Sequence, residues 1–252
     1  MNDRAAATLG GGVLLGAAVL LLLVAALTGR GDMTSATLVL VGFGSFIAGV
    51  LLLTQYRGDP VAPWVAGLAA AGPVIDLARC CADLGLRGDA HLVPVEGTVV
   101  QVVPVGEDSP GLPADDYTFI DEKHGGGVRL VPTGLPLYDD LVNRNGLAVP
   151  GTVDGVCTAI REVAADVLGI AERVEAVPEG DGIVVVLEGY RFYDGCRAIR
   201  AASPKICTMV GCPVCNLFAV MAAAGLGRTV VLEHVAAGER DRSVRLVLRL
   251  LS

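Results

Sequence analysis

The chain has 252 residues, 53% of them apolar and only 18% charged. Soluble domains average about 25% charged residues, so part of this chain is not built to face water. The apolar content excludes a disordered chain. The formal charge of -8, from 19 basic and 27 acidic residues, excludes a nucleic-acid binder built on a basic face.

The apolar excess lies at one end. Ala5 to Gly29 and Met33 to Tyr56 carry no formal charge. At about 1.5 Å per helical residue, each run spans a hydrocarbon core of roughly 30 Å. Arg30-Gly31-Asp32 reads as a tight polar turn between them. Residues 1–57 are therefore expected to form a transmembrane helical hairpin in the lipid bilayer. A cleaved signal peptide would have a shorter apolar core and no second span behind it. Arg4 and Arg57 flank the outer ends and Arg30 alone marks the turn, which puts both ends of the hairpin, and the domain after it, in the cytoplasm. Seven cysteines, an odd number, suit the same reducing compartment. Gly12 and Gly16 on the first helix and Ser45 and Gly49 on the second form small-residue rows. Such rows serve helix packing within the hairpin, or contact with a second copy or another membrane protein. Neither span contains Asp, Glu, Lys, Arg or His, which argues against transport.

Residues 58–88 read as linker helices. Val61 to Ile75 is apolar but short, and it contains Pro63 and Pro73, so a helix at the membrane interface with Trp64 near the headgroups is expected rather than a third span. Asp76 to Leu86 reads as a second helix, ended by Gly85 and Gly88.

Residues 89–150 form a β-rich, Pro- and Gly-punctuated segment. Val99, Val100, Val102, Val103 and Val105 mark one strand, and Tyr117–Ile120 and Val128–Val131 two short ones. Between the short strands stands His124-Gly125-Gly126-Gly127. It resembles the oxyanion loop of some lipases and esterases, but no Gly-x-Ser-x-Gly elbow exists anywhere in the chain, which removes the hydrolase reading. The neighbouring Asp115, Asp116, Asp121 and Glu122 read as a solvated cluster, with a hard cation as the sharper alternative.

Residues 151–252 match themselves at an offset of 58. Cys157, Ala164, Ala165, Leu168, Gly169, Glu175, Val177 and Gly180 recur as Cys215, Ala222, Ala223, Leu226, Gly227, Glu233, Val235 and Gly238. The first half reads as a helix with the stripe Val156, Ile160, Val163, Val167 and Leu168, stopped at Gly169, then strands 173–177 and 183–187. The second half reads as a helix with the stripe Val214, Leu217, Phe218 and Met221, then strands 229–235 and 243–250. A further helix, 192–202, lies between. The expected fold class is thus α+β: a transmembrane hairpin followed by an antiparallel sheet with an internal αββ repeat, whose two hairpins merge into one sheet.

Cys196, Cys207, Cys212 and Cys215 fall within 20 residues. Three chemistries fit. The four thiolates are candidate ligands for zinc or an iron-sulfur cluster, although C-x10-C is not a usual zinc knuckle. Cys212-Pro213-Val214-Cys215 resembles the glutaredoxin and thioredoxin turn, which implies a nucleophile at Cys212 and a resolving thiol at Cys215; too few residues follow to complete that fold. Buried cysteines are also common core residues, the simplest reading of Cys80 and Cys81.

The run Gly211-Cys212-Pro213-x-Cys215, then a helix, a Gly, the strand Val230-Val231-Leu232-Glu233 and the strand 244–250, resembles the closing part of V4R-type domains. That resemblance implies a small α+β ligand-sensing or accessory domain. The whole chain also resembles uncharacterised archaeal membrane-anchored proteins. Neither likeness carries a reaction onto a residue. Three functions follow: a membrane-anchored ligand- or metal-binding sensor or accessory domain, a thiol-disulfide oxidoreductase, and a structural assembly factor.

Overall fold

The structure is a computed structural model, and it describes residues 3–28, 33–55, 61–106, 117–239 and 241–251. It divides into two units, Met1–Pro60 and Val61–Ser252.

The first unit holds helices α1 (Asp3–Thr28) and α2 (Met33–Gln55). Both are long and apolar enough to cross a membrane. The Arg30-Gly31-Asp32 turn lies outside the described residues. The two helices pack on each other through Gly11 and Ala18 of α1 and Gly42 and Gly49 of α2, all buried. A Cβ on Gly49 would stand 3.2 Å from the Gly11 carbonyl oxygen, and one on Gly42 would stand 3.0 Å from Leu22. The seven-residue spacing on each helix suits a slightly crossed pair. This corrects the Gly12/Gly16 row as the packing seam: neither glycine has an atom within 4 Å of where a Cβ would lie. A row four residues apart and one position along has rotated off the shared face.

In the second unit, α3 runs unbroken from Pro63 to Asp83, whereas the sequence predicts two separate helices here. Pro73 lies inside it. The hydrogen bond it forfeits would reach the carbonyl of Ala69, and both residues are exposed, so the unmade bond is not sealed in the packed interior. Ala71, Val74, Ala78 and Cys81 form its buried stripe. Cys80 is exposed, a correction to its reading as a core thiol: adjacent helical residues point about 100° apart, and only Cys81 shares the stripe.

Among the described residues, eight strands make one antiparallel sheet. They are β1 (His91–Val95), β2 (Thr98–Pro104), β3 (Phe119–Ile120), β4 (Gly127–Leu130), β5 (Arg173–Glu179), β6 (Gly182–Glu188), β7 (Val230–Gly238) and β8 (Ser243–Leu250), in the order β3-β4-β2-β1-β7-β8-β6-β5. The β5–β6 and β7–β8 hairpins join through β6 and β8, as the repeat predicts. The segment 89–150 does not stand apart, because β1 pairs with β7 and extends the same sheet. Residues 107–116, with Asp115 and Asp116, lie outside the described residues. Asp121 caps the short turn Glu122–His124 and pairs with the His124 ring.

Alternation separates the faces. Ile183, Val185 and Leu187 of β6 and Val244, Leu246 and Leu248 of β8 are buried under the helices. The other face carries the pairs Arg173–Glu188, Arg245–Glu179 and Arg249–Glu233.

The covering helices are α4 (Leu135–Asn145), α5 (Val153–Glu162), α6 (Tyr193–Ala202), α7 (Lys205–Met209) and α8 (Pro213–Leu226). The helices α4 and α7 have no counterpart in the sequence expectation. The predicted stripe past α5 also bends. A π turn at Val163–Val167 replaces the last α turn, with Leu168 N–H donating to Val163 O. The wider turn rotates Val167 out to solvent and tucks Ala164 in. Gly169 and Gly227, matched in the repeat, both adopt left-handed φ at their helix ends (56° and 62°). Helix α8 is buried all round from Val214 to Ala223. The segment Lys205–Leu226 is apolar enough to span a bilayer, but 94% of it is buried inside the folded domain, so α8 is the centre of the core.

Candidate functional site

A cavity of about 190 Å³ opens at the N-terminus of α8. Ala66, Gly67 and Ala70 of α3 form one wall, and Phe192, Gly195, Cys196 and Ile199 at α6 another. Leu137, Tyr190 and the run Cys212-Pro213-Val214 complete it. The α3–α6 crossing is tight because glycines meet there: a Cβ on Gly195 would lie 2.3 Å from Gly67 O. The Tyr190 ring is held edge-on to Phe192, with centroids 5.9 Å apart.

A buried amide network positions the Cys212 end of the cavity. Asn216 Nδ2 donates to Gln101 Oε1 (2.7 Å) and to Val210 O (3.2 Å). Gln101 Nε2 donates to Val210 O (3.0 Å), and Gly134 N–H donates to Asn216 Oδ1 (3.0 Å). Thr133 Oγ1 donates to Gly211 O (3.0 Å). One side chain on α8 thus ties strand β2, the turn before α4 and the 210–211 segment together. Gly211, at φ 78°, makes the sharp approach that sets Cys212 as the N-cap of α8.

Cys212 has extended backbone (φ -73°, ψ 159°), and its sulfur makes no geometric cap hydrogen bond. The thiol is nevertheless lowered to about 7. The Cys215 thiol, which donates to it, acts most strongly; burial opposes this, and the Cys215 and Val214 amides act in the same sense as the thiol. These amides work at the positive end of the helix. The reverse holds for Cys215, pushed well up by its bond to the Cys212 sulfur and by burial. Burial pushes Cys196 and Cys207 up to about 12, and the Cys212 charge adds to it. The Tyr190 hydroxyl, also raised by burial, donates toward the Cys212 sulfur.

The other three predicted cysteines therefore come within electrostatic reach of Cys212. Two of them, Cys196 and Cys212, line the cavity, while Cys215 lies behind and Cys207 lies on α7. Yet among the described residues no group of three or more His, Cys, Asp or Glu side chains is arranged to hold a metal ion. Sequence reasoning missed Tyr190, Gln101 and Asn216. Gln101 and Asn216 each left a signal, as the one amide in an otherwise apolar run; Tyr190 left none.

These protonation states give a measurable pH dependence. In a Cys80→Ser background, iodoacetamide alkylation of Cys212 should fall as pH drops through about 7 and level off above it. The folded protein favours this thiolate, so its contribution to stability is complete above about 9 and is lost as pH falls from there through about 7. A midpoint near 9, read by peptide mass mapping, would contradict the N-cap argument.

A family model described as "Domain of unknown function (DUF7982)" matches residues 6–249. The chain belongs to that family. The match covers both the apolar hairpin and the sheet domain of this DUF7982 protein. No curated protein and no solved structure matches it.

Proposed function

We propose that this DUF7982 protein is a membrane-anchored sensor or accessory domain that faces the cytoplasm and binds a small apolar ligand. The cavity carries the reading. It is lined by aliphatic, aromatic, glycine and proline residues, with Cys196, Cys212 and Tyr190 among them. Apolar cavities of this size stay dry and admit small hydrocarbons. A ligand is preferred to a metal because the cysteines lack a coordinating arrangement. The likeness of residues 207–250 to V4R-type domains points the same way.

Two spans' worth of uncharged helix support the anchor. Trp64, 54% exposed, and the exposed Val61, Val65 and Leu68 at the start of α3 support a contact with headgroups. The basic-residue bias and seven unpaired thiols support the cytoplasmic side.

The test uses the full-length chain in lipid nanodiscs, with toluene as the probe. Toluene should raise the thermal midpoint of the wild type by binding the folded state. In Ala70→Leu, where the new side chain fills the cavity, the rise should vanish. Equal responses from the two proteins would sink the reading.

A further inference from the structure

We infer that Cys212 and Cys215 form a dithiol-disulfide pair that reacts, through the cavity, with small apolar disulfides. The inference rests on the cavity admitting a ligand, as proposed above. Its own warrant is positional. Cys212 lines the cavity at the N-cap of α8, where the chain has not yet entered the helix. Cys215 lies one turn on, 2% exposed and outside the lining. A reagent entering the cavity meets Cys212 first and reaches Cys215 only through it. Cys196 shares the wall, but it is the fourth residue of α6, its N–H already donated to Phe192 O rather than free at the helix end, and burial keeps its thiol protonated. Cys215 lies one turn along the same helix, close enough to interact with the Cys212 sulfur, which is the spacing resolution needs.

The chemistry balances without a further reagent. The Cys212 thiolate attacks one sulfur of the incoming disulfide. A Cys212–S bond forms, the original S–S bond breaks, and the leaving thiolate takes the Cys215 proton. The Cys215 thiolate then attacks the Cys212 sulfur. The protein disulfide forms, and the second thiolate leaves and is protonated from solvent. The small disulfide is reduced to two thiols, and the protein dithiol is oxidised.

At neutral pH about half of Cys212 is thiolate, against about a hundredth of an unperturbed thiol near 9. The lower basicity returns part of that gain, leaving roughly sixfold in rate.

The experiment uses reduced full-length protein in nanodiscs, carrying Cys80→Ser to remove the exposed thiol, with dipyridyl disulfide as the probe. The expected result is rapid release of two pyridinethiones per chain and a protein that has lost two hydrogens, with a peptide joining residues 212 and 215. Cys215→Ser should stop after one release, with the pyridylthio group trapped on Cys212. Cys212→Ser should lose the rapid release altogether, because the thiols that remain near the cavity are buried and held protonated, and Ala70→Leu should slow the wild-type reaction. Two rapid releases from Cys215→Ser, or a trapped group on another cysteine, would overturn the proposal, as would no effect of Ala70→Leu. The Cys215→Ser trap decides the matter even if Cys212→Ser folds poorly. A toluene shift that survives in Cys212→Ser while the trap fails would leave the binding reading standing and remove only the dithiol.

Discussion

Asn216→Ala should lower the unfolding free energy by about 3 kcal/mol, with a chemical-denaturation midpoint well below that of the wild type. The size follows from what the amide leaves behind. Gly134 N–H and Gln101 Oε1 both lose their partner in a dry interior, and each unpaired group costs about 1–3 kcal/mol. Val210 O keeps its bond from Gln101, so the loss is two groups and not three. The effect should also travel to the chemistry. The network fixes the 210–211 segment that presents Cys212 to the start of α8, so the alkylation midpoint of Cys212 should rise toward the ordinary thiol value. A variant that unfolds at the wild-type denaturant concentration would show that water or a neighbouring group replaces the amide.

The second large effect concerns the α3–α6 crossing. Gly195→Ala should destabilise by roughly 1–3 kcal/mol, although alanine is the better helix former by about 1 kcal/mol. The atoms in the way are the carbonyl oxygen and carbon of Gly67, at 2.3 and 2.4 Å. These are backbone atoms, which cannot rotate aside. The helices must separate, and the cavity wall that Gly67 and Gly195 share opens with them, so the toluene response should weaken too. Gly72→Ala is the matched control. It lies in α3 with nothing within 4 Å of the new methyl group, and it should stabilise by about 0.5–1 kcal/mol. Opposite signs for the two substitutions, measured by thermal unfolding, are the expected result; the same sign for both would refute the crossing argument.

The sequence made the chain's local rules legible. Uncharged runs marked α1 and α2, and alternation with Pro-Gly punctuation marked the strands. A repeated helix-stop glycine located two αββ units and their merger. What it hid were effects of the third dimension. The sequence expectation stopped the helix around Pro73, but the fold leaves Ala69 exposed and the helix continues. Heptad counting placed Val167 inside, but a π turn rotated it out. The four cysteines read as a cluster because they are close in sequence. Their functions separate because only Cys212 combines a helix N-terminus with a cavity wall. The cavity itself needed α3, α4 and α6 from three distant stretches, and no spacing rule connects Ala70, Leu137 and Tyr190.

The two outermost of the described strands bear on how copies of the chain meet one another. β3 is two residues long, too little backbone to template a partner. β5 offers seven residues, but Pro178 donates no N–H, and Arg173, Glu175 and Glu179 line it with charge. Such borders discourage a neighbour from adding a ninth strand. Copies of the chain can therefore crowd together without zipping into fibrils through these two borders, and contact there must come from side chains.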